Sequence, residues 1–145
     1  MPRGSLALSL LACCVALAGC AESSDTGTVR ATGVVTFDGK PLAGANVTFF
    51  PAAAGNSGLA SQALTDNEGR FELGTYAGGG KFKPGIALGQ YAVVVTKLDT
   101  AAIRNTLSPP KNLLPRKYAS QQTSMLTADV NADRENDFSF ALSPE

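Results

Sequence analysis

Catalysis needs side chains that move protons, attack carbon or hold a metal, and this chain offers few of them. It contains no histidine, which removes the commonest general acid–base and the commonest metal ligand. Any reaction would have to rest on carboxylates, lysine, tyrosine or serine. No pair of Asp or Glu residues is set across a cleft by its spacing. Serine and threonine are plentiful, but none has a histidine to activate it, and a Ser–Lys pair has no motif behind it. Gly78-Gly79-Gly80-Lys81 has the look of a phosphate-binding loop. The full pattern needs a glycine five residues before Gly80 and a hydroxyl residue after the lysine. Thr75 and Phe82 stand there instead. Asp66-Asn67-Glu68-Gly69 brings three side-chain oxygens together, yet a calcium loop needs more ligands at fixed spacing. A hairpin turn, with Asp66 bonding local amides, accounts for these residues better. The sequence therefore predicts no catalytic residue, no metal site and no cofactor.

The thiols carry the clearest chemical signal. Cys13 and Cys14 lie within an apolar run over residues 6–17, preceded by Arg3 and followed by Leu17-Ala18-Gly19-Cys20. The run is shorter than the roughly 20 apolar residues needed to span a bilayer, and fits the core of an export signal. Leu17-Ala18-Gly19-Cys20 resembles the bacterial lipobox, in which small residues precede the cysteine at the cleavage point. The resemblance implies a signal peptide over 1–19, removed with Cys13 and Cys14. It implies a diacylglycerol on the Cys20 thiol and, often, a further acyl chain such as palmitate on the new α-amine. Two or three chains are what stable anchoring requires, since one chain holds a protein only marginally. Ala21, rather than aspartate, follows the cysteine, which in this signal class favours the outer membrane where the cell has one. Residues 20–27 then read as a lipidated N-terminus and a small, polar, flexible tether.

These groups must be positioned by the remaining residues, 28–145, a length that suits one domain with its own core. Basic and acidic residues balance at 12 each, and loss of Arg3 leaves the mature chain one negative charge in excess. Such a balance gives no electrostatic footprint for nucleic acid and no polybasic run for anionic lipid. Without Cys13 and Cys14 there is no disulfide framework. Strict alternation of apolar and polar residues dominates the domain and argues for strands with one buried face. Seven strands are expected, over 28–37, 45–50, 59–65, 70–73, 90–98, 124–131 and 137–142. Asp38-Gly39 is a strong hairpin signal. Residues 74–90, rich in glycine, are expected to be loop. Tyr91, Val93 and Val95 alternate with Ala92 and Val94, so both faces are apolar and the strand should be central. No amphipathic helix of useful length is visible. Seven short alternating strands read as a single antiparallel β-sandwich of transthyretin-like or immunoglobulin-like type.

Thr32-Gly33-Val34-Val35 through Asp38-Gly39-Lys40-Pro41-Leu42-Ala43-Gly44-Ala45-Asn46-Val47 resembles the opening of carboxypeptidase-regulatory-like domains. Thr65-Asp66-Asn67-Glu68-Gly69-Arg70-Phe71 resembles the T-D-x-x-G-x-F hairpin of the same family. Gly85 with Gly89-Gln90-Tyr91 and the valine run resembles its later strand. The likeness covers residues 33–97. It implies a transthyretin-like sandwich of the accessory, folding or recognition kind, with no catalytic set to carry over. A hydroxyisourate hydrolase shares the fold, but it relies on histidines, and this chain has none.

The expected role is therefore a membrane-anchored, non-catalytic binding or structural module of the bacterial cell envelope, tied to the membrane through lipid on Cys20. It would act through loops or an exposed strand edge, on another envelope protein or a glycan. A glycan-binding module and a carboxylate-based glycan-active enzyme are the alternatives. Tyr76, Tyr91 and Tyr118 are the stacking candidates in a chain without tryptophan. Residues 99–123, with Pro109, Pro110, Leu113, Leu114, Pro115 and Tyr118, either cover one end of the sandwich or line a partner surface, and burial of such residues favours the first.

Overall fold

The structure is a computed structural model that describes residues 27–52, 59–77, 79–100 and 109–145. Its elements are β1 (Thr28–Val29), β2 (Ala31–Phe37), β3 (Lys40–Pro41), β4 (Asn46–Pro51), β5 (Ser61–Leu64), β6 (Arg70–Glu72), β7 (Gly74–Ala77), β8 (Lys81–Pro84), β9 (Ile86–Ala87) and β10 (Gly89–Thr96). A short 3-10 helix (Arg116–Ala119) precedes β11 (Leu126–Val130) and β12 (Asn136–Leu142). The described chain is all-β, and each of the seven expected stretches contains a strand.

The strands form two facing sheets and a separate two-stranded pair, β1 with β9. The larger runs in the order β11-β10-β4-β5-β7-β8. In the smaller, β2 is flanked by β12 on one side and by β3 and β6 on the other. Alternation decides which side chains meet between them, because successive residues of a strand point to opposite faces. Val47 and Phe49 of β4, with Tyr91, Val93 and Val95 of β10, come from one sheet and are fully buried. Ala31 and Val35 of β2, with Phe140 and Leu142 of β12, come from the other. Phe49 lies at the centre of this core. Its ring centroid is 6.3 Å from that of Phe71, 5.5 Å from Phe138 and 6.0 Å from Phe140, all on the opposite sheet. Tilted and edge-on pairs at these separations are the favoured arrangements of aromatic quadrupoles. As expected for a strand apolar on both faces, β10 is internal, paired with β4 and β11.

The turns follow their chemistry. Asp38 and Gly39 both take positive φ, 52° and 73°, between β2 and β3. This is the combination a tight two-residue hairpin requires.

Three features depart from expectation. Residues 74–90 are not loop but carry β7, β8, β9 and the start of β10. Their glycines mark the turns correctly: Gly79 and Gly80 close the β7–β8 hairpin at φ 81° and 74°. The strands between those turns are too short to display alternation. Second, β2 and β12 run parallel over Asn136–Leu142, whereas every other strand pair among the described residues is antiparallel. The two are joined by most of the domain, so no tight turn dictates their relative direction. Third, the stretch 28–37 is divided at Arg30, so that β1 pairs with β9 while β2 pairs with β12.

The segment 70–77 ties the sheets together. Its first part, β6, pairs with β2, and its second, β7, pairs with β5. Leu73 at the crossing is buried; its N–H donates to the Ala31 carbonyl at 2.9 Å and its carbonyl accepts from Gly85 N–H at 2.8 Å. Leu114 and Tyr118 from the 99–123 connection join the core, and the Tyr118 hydroxyl accepts from the Ser143 N–H at 2.9 Å. This part of the connection covers the sandwich, while Leu113 beside it stays half exposed.

Candidate functional site

Cys20 lies outside the described residues. The Asp66 carboxylate is occupied by its own turn: one oxygen accepts from Glu68 N–H at 3.0 Å and Arg70 N–H at 2.7 Å. Gly69 follows at φ 73° and is packed against the β2 backbone. Lys81 opens β8, directly after the Gly79–Gly80 turn of the β7–β8 hairpin. Among the described residues, no group of three or more acidic side chains is placed to hold a metal.

Of the three tyrosines, Tyr91 is core, with its hydroxyl donating to the Ala87 carbonyl at 2.8 Å. Tyr118 is also buried. Tyr76 alone has a ring face open to the solvent side of the fold.

Polar residues concentrate on the outer face of the smaller sheet. A shallow depression of about 600 Å³ there is bordered by Arg30, Thr32, Arg70, Arg134, Glu135 and Asp137. Several of its groups are already engaged, with one another or with residues just beyond the rim. Thr32 donates to Asp137 at 3.1 Å. Arg30 holds Glu72 with two parallel hydrogen bonds, 3.0 and 3.1 Å. That hydrogen bonding, with the guanidinium charge, pulls the Glu72 carboxyl below the usual glutamate range. A general acid needs the opposite shift, upward toward neutrality.

The other distinctive surface is apolar. Pairing across the β7–β8 hairpin sets Tyr76 directly opposite Phe82. Their rings meet edge to face with centroids 5.3 Å apart. Phe82 is 55% exposed and Tyr76 52%. Leu64, on the adjacent β5, is 70% exposed. The Phe82 ring lies directly over Gly74, so a Cβ on that residue would displace the ring. Large apolar groups clustered and held rigidly at a surface mark an interaction site more often than scattered ones do. Lys81 and Lys83 flank Phe82 in sequence, and the Arg30–Glu72 pair borders it on the far side. The bare edge of β8 is a poor template for strand addition: it is four residues long, carries two lysines and ends in Pro84, which has no N–H. The face of the hairpin, rather than its edge, is what the fold offers.

Residue spacing could not have revealed this patch, because Tyr76 and Phe82 meet only through hairpin pairing. A phenylalanine between two lysines in a glycine-rich stretch was the available signal.

Residues 31–101 match the model of a family described as a domain of unknown function, DUF6795. The matched span runs from β2 through β10 and includes the hairpin patch. No curated protein matches the chain. Among solved structures, the crystal structure of a 9R-lipoxygenase from Cyanothece PCC8801 is similar at 16% identity, with a TM-score of 0.38. That likeness covers 82% of this chain but only 17% of the lipoxygenase chain, and carries no argument about fold or activity.

Proposed function

We propose that this protein is a lipid-anchored component of the bacterial cell envelope whose β-domain is a non-catalytic binding module. Export would remove residues 1–19, and acyl chains on Cys20 would hold the mature protein to a membrane, the outer one where present. The resemblance of residues 33–97 to carboxypeptidase-regulatory-like domains supports an accessory role of this kind.

The observation that carries the binding half is the solvent-facing pair Tyr76–Phe82, with Leu64 bordering the same depression. A fold that only needed stability would place these rings in its core, where each is worth about 1.5–3 kcal/mol. The anchor half rests on Leu17-Ala18-Gly19-Cys20 following an apolar run of signal length.

Metabolic labelling with a palmitate analogue tests the anchor. Label is expected on the wild-type chain and on Tyr76→Ala, and none on Cys20→Ala. Label that survives Cys20→Ala would overturn the proposal.

A further inference from the structure

We propose that the Tyr76–Phe82 hairpin face, with Leu64, is the surface that rests on the phospholipid bilayer to which the chain is tethered. The inference depends on the anchoring at Cys20 proposed above and names the partner of the exposed patch.

The first argument is where the tether leaves the domain. The earliest paired residues, Thr28 and Val29 of β1, lie against β9. The Thr28 hydroxyl donates to the Pro84 carbonyl at the end of β8, at 3.3 Å. Thr28 and Phe82 border the same surface depression. The chain therefore starts toward Cys20 from the flank of the aromatic patch and not from the far side of the sandwich. Residues 21–27 separate Cys20 from Thr28. A chain of that length spans at most about 27 Å. Thr28, beside the patch, therefore lies no further than that from Cys20. A contact too weak to recruit a free protein becomes effective when a short tether makes it intramolecular.

The second argument is the chemistry of the patch. Tyrosine and phenylalanine at the rim of an apolar cluster suit the headgroup boundary, where a ring is half in hydrocarbon and half in water. Lys81 and Lys83 alternate with Phe82 along β8, so they leave the strand on the opposite face and the patch itself is aromatic and aliphatic. The carboxylate bordering Phe82, Glu72, is neutralised by Arg30, so it does not oppose that contact. The lysines and Pro84 on the β8 edge disfavour the other obvious occupant, a strand from a second copy.

The absence of tryptophan makes a clean test possible. Phe82→Trp places a single fluorophore in the patch, and Ser139→Trp places one on the outer face of β12, in the opposite sheet. Each full-length precursor is expressed so that it is processed and acylated normally. The mature protein is then purified and reconstituted in vesicles of phosphatidylethanolamine and phosphatidylglycerol. Emission is compared with that in detergent-free buffer, and then in vesicles whose acyl chains carry bromine. The indole of the Phe82→Trp variant should shift to shorter wavelength and be quenched by the brominated chains. The indole of the Ser139→Trp variant should do neither. Tyr76→Trp serves as a second reporter in case the larger ring at position 82 does not fit over Gly74.

Acylated protein whose indoles at positions 82 and 76 both stay water-like and unquenched would overturn the bilayer contact and leave the anchor intact. Protein that proves unacylated by mass would overturn both. A blue shift that grows with protein density and resists brominated lipid would assign the patch to a second copy, and would equally overturn the proposal.

Discussion

Gly39 and Gly69 offer a controlled comparison, because both adopt φ of 73° yet differ in what surrounds them. At Gly39, in the turn between β2 and β3, a Cβ would meet nothing within 4 Å. Gly39→Ala should cost only the left-handed conformation, about 1–2 kcal/mol. At Gly69 the same Cβ would overlap the Val35 carbonyl oxygen and stand 3.0 Å from the Leu42 amide nitrogen. Both of those atoms are backbone and cannot rotate away. They also belong to bonds that fix the turn onto β2: Val35 N–H to the Gly69 carbonyl at 2.8 Å, and Leu42 N–H to the Val35 carbonyl at 3.0 Å. Relieving the contact stretches or breaks at least one of them, and a buried group left without its partner costs about 1–3 kcal/mol. Gly69→Ala should therefore total about 2–5 kcal/mol, exceeding Gly39→Ala by about 1–3 kcal/mol. In urea denaturation of the mature domain, followed by circular dichroism, that difference moves the midpoint by about 0.5–2 M between the two variants. Equal midpoints would refute the reasoning, since they would mean that the Asp66–Gly69 turn is not seated against β2.

Two further substitutions follow from the same geometry. The Thr65 hydroxyl donates to the Leu42 carbonyl at 2.6 Å and accepts from Ala45 N–H at 2.8 Å, all buried. Thr65→Val keeps the shape but strands both partners, and should cost about 2–4 kcal/mol, whereas Thr65→Ser should cost about 1 kcal/mol or less; equal losses in thermal melts would contradict the bonding. The Arg30 hydrogen bonds and charge lower the Glu72 pKa in the folded state, so its contribution is present above the unfolded glutamate value of about 4.3 and disappears as pH falls through the folded value. The melting temperatures of wild type and Glu72→Gln should differ slightly at pH 7, converge as pH drops below about 4, and converge at pH 7 in high salt; a gap independent of both would refute the ion pair.

The legible parts of this fold are those written locally. In β2 and β12 a two-residue period runs long enough to fix which side chains enter the core, and Ala31, Val35, Phe140 and Leu142 are buried accordingly. Asp38-Gly39 and Asp66–Gly69 are turns because of what their own backbones tolerate. What escaped was non-local. Strands as short as β7, β8 and β9 carry too few residues to alternate, and are held by pairing with neighbours rather than by pattern. The parallel union of β2 with β12 depends on how two distant segments come together, which no spacing records. The Tyr76–Phe82 patch escaped for the same reason: Tyr76 is legible as a stacking candidate, but its pairing with Phe82 arises only across the hairpin. The crossing at Leu73, where one extended segment leaves the smaller sheet for the larger, is set by bonds to Ala31 and Gly85 that lie far from it in sequence.

The central claim is that the domain reaches its site of action on a lipid carried by Cys20. The most direct test is the intact mass of the protein purified from the membrane fraction of the cells that make it. The account predicts a mass of residues 20–145 plus two or three acyl chains. A mass equal to a cleaved chain without acyl groups, or to the uncleaved chain, would contradict it.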